Sequence, residues 1–259
     1  MKYTLSTGLL FLASFVAYAS DSPTEKSSHS ADKSSHGSAH WEYSGEAGPE
    51  NWAKLNAAFS ACAGKNQSPV DITNTIEADL QQLEVNYKNN ANEVINNGHT
   101  IQVNTLEGSR LIVDKIPFEL KQFHFHAPSE NLIDGKSFAM EGHLVHKDKD
   151  GNLAVIAIMF TEGETHTGLE KAWSKMPENA GGKAMLQSMM SAADLLPDSL
   201  NYYRFNGSLT TPPCSEGVRW LVLKKPVTAS REQIEKFSQI MHHPNNRPVQ
   251  PVFARPILR

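Results

Sequence analysis

Cysteine is scarce in this chain, and positive charge is not in excess. Only Cys62 and Cys214 occur in 259 residues, and neither belongs to a C-x-x-C pair, which argues against a cysteine-based zinc site. Lys and Arg number 24 against 28 Asp and Glu, for a formal net charge of −4. A mildly acidic chain without a basic patch makes a poor partner for nucleic acid. Long hydrophobic runs are missing as well. The apolar stretch at residues 7–16 is too short to span a bilayer comfortably, and no later stretch reaches the length of a membrane helix. Internal repeats are absent, and helical periodicity is sparse.

The N-terminus reads as a targeting segment. A short basic start (Met1-Lys2), the apolar run and the small-x-small triplet Ala17-Tyr18-Ala19 together match a secretory signal peptide, residues 1–19, cut after Ala19. A membrane anchor is the alternative, disfavoured by the run's length. Residues 20–40 hold almost no large apolar side chain, so they cannot bury enough surface to order themselves and read as a flexible Ser/His-rich tether. His29, His36 and His40 in that tether could hold metal weakly, although a plain soluble linker is the simpler reading. Residues 41–259 have the composition and length of one globular domain. In an exported chain the two cysteines are expected to pair, two free thiols being the alternative. Closing a loop of about 150 residues would stabilise the fold by at most about 5 kcal/mol.

Most of that domain reads as strand. Alternating or β-branched segments occupy 70–72, 83–87, 100–103, 110–113, 120–126, 141–146, 153–160 and 218–223, and Asn97-Gly98 and Asp150-Gly151 are turn dipeptides. Helices are expected at 169–176, at 183–193 and at 230–241. The last is the clearest: Ser230 serves as N-cap, Gln233 completes a capping box, and Ile234, Phe237, Ile240 and Met241 follow one face. Proline-rich segments after residue 201 are expected to be extended loops. The fold class is mainly β, with peripheral helices.

One pattern carries chemistry. In a strand, residues i and i+2 share a face. Within Phe123-His124-Phe125-His126 the two histidines and Gln122 therefore face one way and the phenylalanines the other. In Glu141-Gly142-His143-Leu144-Val145, Glu141, His143 and Val145 share a face. Two such strands side by side could gather three neutral imidazoles around one point, a ligand set that suits zinc and leaves a fourth position open for catalysis. A lone strand histidine is more often a hydrogen-bonded core residue. The third histidine shifts that balance, as do Gln122 and Glu141, because a ligating imidazole needs its other nitrogen held by an acceptor.

Further motifs accompany this pattern: Gly48-Pro49-Glu50-Asn51-Trp52, Asn66-Gln67-Ser68-Pro69-Val70-Asp71-Ile72, Asn96-Asn97-Gly98-His99, residues 122–130 and 141–146, and Gly207-Ser208-Leu209-Thr210-Thr211-Pro212-Pro213. With them the chain resembles an α-class carbonic anhydrase of the bacterial exported kind over residues 41–259. The resemblance implies a large, twisted, mostly antiparallel central sheet with short helices around it. It implies one Zn2+ per chain and reversible hydration of carbon dioxide to bicarbonate and a proton, through attack by zinc-bound hydroxide. His124, His126 and His143 match the zinc ligands, with Gln122 and Glu141 as partners of His124 and His143. Thr210 matches the threonine that accepts a hydrogen bond from the hydroxide, and Glu130 the carboxylate that orients it. Thr211 lies beside the substrate pocket. His99 matches the proton shuttle, and Tyr43, Asn97 and Gln102 match positions that order water between zinc and shuttle. Val145, Val155, Leu209, Val218 and Trp220 match the apolar wall where carbon dioxide rests.

Cys62 and Cys214 match a disulfide of exported members that would brace the loop of Thr210 and Thr211. Inhibition by sulfonamides and anions, a periplasmic or secreted location and, as in some bacterial relatives, a homodimer fit the same resemblance. Two positions depart from the better-known animal members: Ala127 stands where Trp is common, and Asn131 where His is common. His146 matches a buried core histidine, not a ligand.

The residue types suit the chemistry. Zinc lowers the pKa of its water to about 7, a value established for this enzyme type, and neutral ligands leave the metal's charge undiminished. Thr210 has one hydroxyl proton to give. If Glu130 takes it, the Thr oxygen must accept. An acid of pKa ~7 releases protons to water no faster than about 10³ s⁻¹, given an association ceiling of roughly 10¹⁰ M⁻¹s⁻¹; a histidine relay can exceed that limit by handing protons to buffer. A zinc esterase, a periplasmic zinc-storage protein and an inactive binding module are the competing readings. Storage has no use for Thr210, Glu130 and His99, and an inactive module has no use for a full ligand set.

Overall fold

A computed structural model of the chain describes residues 40–259. The expected signal peptide and all of the tether except His40 lie outside the described residues. In chain order the strands are β1 (Asp71–Ile72), β2 (Glu84–Asn86), β3 (Asn89–Asn96), β4 (Ile101–Thr105), β5 (Arg110–Val113), β6 (Ile116–His126), β7 (Leu132–Ile133), β8 (Met140–Lys147), β9 (Leu153–Glu162), β10 (Lys183–Ser191), β11 (Tyr202–Ser208), β12 (Glu216–Leu223) and β13 (Val227–Ala229). The α-helices are α1 (Trp52–Leu55), α2 (Thr167–Ala172) and α3 (Arg231–Met241), and 3-10 segments cover Gly45–Ala47, Ala57–Ala63 and Ala192–Leu195. Eleven strands form one sheet in the order β10-β3-β4-β6-β8-β9-β12-β11, with β5 and β2 branching from β6 and β13 pairing with β9. All its ladders are antiparallel except β9 with β12 and with β13. The sheet is therefore mostly antiparallel, with short helices around it.

Strand β9 shows why the sheet is central. Its near-continuous apolar run buries both faces, as a strand covered on two sides requires. Ala154, Ile156, Ile158 and Phe160 enter one core cluster, whereas Val155, Ala157 and Met159 enter another on the opposite face. Strand β6 divides its faces differently. Phe118, Leu120, Phe123 and Phe125 all join the first core, although the parity of their positions changes between Leu120 and Phe123. A register irregularity between Leu120 and Gln122 accounts for the change: one extra residue, the exposed Lys121, flips the alternation. Below the bulge, Gln122, His124 and His126 are turned to the face opposite the phenylalanines.

Two expected elements differ. Residues 183–193 are not a helix: Lys183–Ser191 form edge strand β10, and a 3-10 turn covers Ala192–Leu195. The Met, Leu, Gln and Lys content favours helix locally, but propensity is a weak prior. Pairing with β3 overrides it, with a bulge between Met185 and Met190. The segment after residue 201 is not all loop, because Tyr202–Ser208 pair with β12 along their whole length. Strand β3 is absent from the sequence reading, since Asn89-Asn90-Ala91-Asn92 carries no strand signal. The helix expected at 169–176 is Thr167–Ala172, started by the His166 side chain, which accepts from the Leu169 N–H, and ended at Trp173. Helix α3 carries the full Ser230–Gln233 capping box.

Cys62 and Cys214 form a disulfide across a sequence separation of 152 and pack with Trp52 in a third apolar cluster beside Trp41 and Tyr43. The bond fastens the β11–β12 connection, which holds Thr210 and Thr211, to the segment after α1. Replacing both cysteines, Cys62→Ser with Cys214→Ser, should lower unfolding free energy by about 2–5 kcal/mol because of the long loop released. Urea denaturation of the two proteins without reductant checks this.

Candidate metal centre

Antiparallel pairing of β6 with β8 places His124 directly opposite His143, with His126 opposite Glu141. One ring nitrogen from each of His124, His126 and His143 lies within 4.8 Å of the other two. The outer nitrogens are all engaged. His124 Nδ1 meets Gln122 Oε1 at 2.9 Å, His126 Nδ1 meets the Asn245 carbonyl at 2.7 Å, and His143 Nε2 meets Glu141 Oε1 at 2.9 Å. Each of these partners is an acceptor, so each outer nitrogen carries the hydrogen. The lone pairs of His124 Nε2, His126 Nε2 and His143 Nδ1 are left facing one another. Burial, reinforced by the neighbouring rings, holds His124 and His143 well below the usual imidazole range, and burial also lowers His126.

Buried His126 Nε2 has no hydrogen-bond partner. A buried lone pair without a donor is unfavourable unless something cationic meets it. Three neutral imidazoles with converging lone pairs are a donor set that fits Zn2+ and leaves a further coordination position open.

The surrounding carboxylates are held firmly. Glu141 Oε2 accepts from the backbone N–H groups of Glu130 and Asn131, both at 2.8 Å, and Oε1 accepts from Asn131 Nδ2 at 2.6 Å as well as from His143. Asn131 Oδ1 accepts from the Val70 N–H at 3.0 Å, which fixes the direction of its amide. Asn131 thus supplies a neutral donor to Glu141. Burial raises the Glu141 pKa, and the Asn131 side chain and backbone pull it back.

Glu130 Oε1 accepts from the Arg247 N–H at 2.9 Å. Its Oε2 meets no donor in hydrogen-bonding geometry and lies 3.5 Å from His126 Nε2. Burial pushes Glu130 up to about 8, against the opposing pull of the Arg247 backbone N–H and the Thr210 hydroxyl.

Thr210 is buried on the β11–β12 connection. The base of that connection is stitched to residue 68: the Ser68 N–H donates to Ser208 Oγ at 2.9 Å and the Ser208 N–H to Ser68 Oγ at 3.1 Å. Val155, Val218 and Trp220 belong to one buried cluster, with Val145 and Leu209 packed against it, and the Trp220 ring lies 4.9 Å from that of His143. The five expected wall residues are thus brought together beside the histidines.

On the other side His99 stacks on Trp41, with ring centroids 3.7 Å apart. Its loop is set by Gly98, at φ +88°, and by Asn97 Oδ1, which accepts from the His99 and Thr100 N–H groups at 2.9 Å each. Burial lowers the His99 pKa, as do His40 and His243, while Glu42 raises it. Gln102 sits opposite His124 on β4, its amide donating to Asn104. The buried Tyr43 hydroxyl has no partner.

The family profile of eukaryotic-type carbonic anhydrase matches residues 47–259. The chain belongs to the α-carbonic anhydrase family. The carbonic anhydrase of Pectobacterium atrosepticum is 49% identical over 259 residues, covering all of both chains. That of Klebsiella pneumoniae is 49% identical over 223 residues, 85% of this chain and 91% of the relative. Among solved structures, the α-carbonic anhydrase of Thermovibrio ammonificans in complex with the inhibitor sulfanilamide matches with a TM-score of 0.85 at 49% identity, over 86% of this chain and 100% of the other. As a carbonic anhydrase the chain is an enzyme, of a family that is zinc-dependent in general and whose general reaction is carbon dioxide hydration.

Two residues at this carbonic anhydrase site escape the sequence reading. Asn245 holds His126 through a backbone carbonyl, which no residue type announces. Arg247 is buried, gives its N–H to Glu130, and sends its guanidinium to Gln67 Oε1 and the Ser68 and Cys62 carbonyls.

His146 is no ligand. Its Nδ1 faces the Ala154 carbonyl at 3.2 Å and its Nε2 the Tyr87 hydroxyl at 2.7 Å. Burial lowers its pKa to about 4, whereas an unfolded histidine titrates near 6.5. Its contribution to stability is whole above pH ~6.5 and is lost as pH falls toward 4, up to about 3 kcal/mol over that window. In chelator-treated protein, urea unfolding free energies should fall less steeply with acid for His146→Phe than for wild type, by up to about 1.4 kcal/mol per pH unit between those limits.

Proposed function

We propose that the chain hydrates carbon dioxide reversibly to bicarbonate and a proton, with one Zn2+ held by His124, His126 and His143. The observation that carries this reading is the convergence of three imidazole lone pairs, each ring fixed from behind by a different acceptor, at the edge of an apolar wall. Bound there, zinc supplies a hydroxide-strength nucleophile at neutral pH by lowering the pKa of water to about 7, as is established for carbonic anhydrases.

The rest is the work of side chains. Glu130, as a carboxylate, would accept a hydrogen bond from the Thr210 hydroxyl. The Thr210 oxygen can then only accept, which sets the direction of the attacking oxygen. Val145, Val155, Leu209, Val218 and Trp220 offer carbon dioxide a surface without hydrogen-bond partners, suited to an uncharged substrate and poorly suited to bicarbonate, and Thr211 borders it. His99 takes the released proton outward by way of water ordered near Tyr43, Asn97 and Gln102, and its stacking on Trp41 holds it toward the mouth. Sulfonamides and anions should inhibit, as the sulfanilamide complex of the Thermovibrio relative illustrates. Export through a signal peptide at residues 1–19, with residues 20–40 as a tether to a catalytic domain at 41–259, is supported by the disulfide, which suits an oxidising compartment.

Stopped-flow hydration of carbon dioxide tests the reading. Zinc-loaded protein should be active and sulfonamide-sensitive, chelator-stripped protein inactive. His124→Ala should lose bound zinc and at least about 10³-fold in kcat/KM, the scale expected when a residue of the reacting centre is removed. A zinc-storage protein would keep metal in the tether instead. His99→Ala should leave kcat/KM nearly unchanged while kcat falls toward the roughly 10³ s⁻¹ limit of direct release to water, and imidazole buffer should restore it. Equal loss of kcat and kcat/KM in that variant would count against a shuttle.

A further inference from the structure

We infer that the Asn245 side chain is a positioning residue that ties the shuttle loop to the metal-binding strand, so that the placement of His99 and the aim of His126 depend on each other. The inference rests on the zinc and shuttle reading above. Asn245 is fully buried in the segment after α3. Its carbonyl accepts from His126 Nδ1 at 2.7 Å. Its Oδ1 accepts from the Ala127 N–H at 2.8 Å, and its Nδ2 donates to the carbonyls of His99 and Phe125, each at 3.0 Å. The amide direction is unambiguous, since the oxygen meets an N–H and the nitrogen meets two carbonyls.

Phe125 is the residue between the two ligands of β6. Its carbonyl also receives the Thr100 hydroxyl at 2.6 Å, so two buried side chains dock the 97–100 loop onto the strand at that point. Displacing Asn245 would at once free the backbone of His99, leave the Phe125 carbonyl one donor short and release the brace behind His126. In reverse, a cation drawing His126 Nε2 into a fixed position stiffens Asn245 through Nδ1 and, through its amide, the loop that carries His99.

Two measurements test this. Asn245→Asp keeps an acceptor for Ala127 but turns an oxygen toward two carbonyls. It should release zinc to a chromogenic chelator about 10- to 100-fold faster than wild type, the usual scale for loss of a brace behind a metal ligand. It should also lower kcat more than kcat/KM. Tyr87→Phe, which weakens the core through His146 away from the loop, should change neither. The second measurement needs no variant to fold. In the full-length wild-type chain, stripping zinc should accelerate hydrogen exchange at the His99 and Thr100 amides, which report the Asn97 turn, and leave the Gly151 turn unchanged. Wild-type zinc release in a folded Asn245→Asp, or exchange at 99 and 100 indifferent to zinc, overturns the inference while the proposed function stands. A wild-type chain that retains no zinc after loading overturns both.

Discussion

The register of β6 against β8 is the constraint on which the site depends. His124 faces His143 because the two strands pair antiparallel with that alignment and no other. A slip by one residue would turn either set of side chains to the opposite face of the sheet, sending imidazoles into the core that Phe123 and Phe125 now fill. The alignment is held from both sides. Phe123, Phe125 and Leu144 bury on the core face, and the bulge at Lys121 lets Phe118 and Leu120 bury there as well without moving the histidines inward. Gly142, opposite Phe125, leaves room that a side chain would take: a Cβ there would meet the Phe160 and Phe125 rings at 3.2 and 3.4 Å. The convergence of the three histidines is thus a by-product of how an aromatic core packs.

Three acceptors of different kinds then finish the imidazoles. Gln122 offers an amide oxygen, Glu141 a carboxylate and Asn245 a backbone carbonyl. Only one of the three is anionic, and its charge is spread over four donors. Each bond fixes a tautomer and a ring plane and raises the basicity of the ring nitrogen on the far side. Ionised, Glu130 is the nearest remaining charge, and in the proposed reaction it acts through Thr210 instead of on the metal. Burial drives Glu130 toward the protonated form, and the neighbouring Glu141 adds to that push.

Much of this is readable in the chain because the relevant periodicity is short. His124 and His126, two apart with Gln122, need only the two-residue repeat of a strand, and Glu141 with His143 need the same. The capping box of α3 is likewise local. What fails to show in sequence is whatever depends on a distant partner. Lys183–Ser191 looks helical until β3 is beside it, and β3 itself carries three asparagines in its first four positions. Tyr202–Ser208 becomes a strand because β12 offers a complementary edge. Asn245 is hidden for another reason: the atom that holds His126 belongs to the backbone, so its side chain gives no hint, and the 119-residue separation of the two places them together only through the fold.

One row of cross-strand neighbours explains how a single pocket serves an apolar substrate and a proton. Reading across the sheet, Gln102 on β4 opposes His124 on β6, His124 opposes His143 on β8, His143 opposes Ala157 on β9, and Ala157 opposes Val222 on β12. The row passes from polar through imidazole to aliphatic within five strands. The next row on the same face carries Val145, Val155 and Trp220. Strand order alone therefore puts hydrogen-bonding groups and the His99 loop on one flank of the metal position and the aliphatic wall on the other. In the proposed reaction carbon dioxide and the departing proton approach the same centre from opposite flanks. A chain of water hydrogen bonds can then reset the site without threading the surface where the substrate rests. A sheet with β4 and β12 exchanged would keep all three histidines together and lose that separation, which makes strand order, as much as the histidine triad, a requirement of the proposed chemistry.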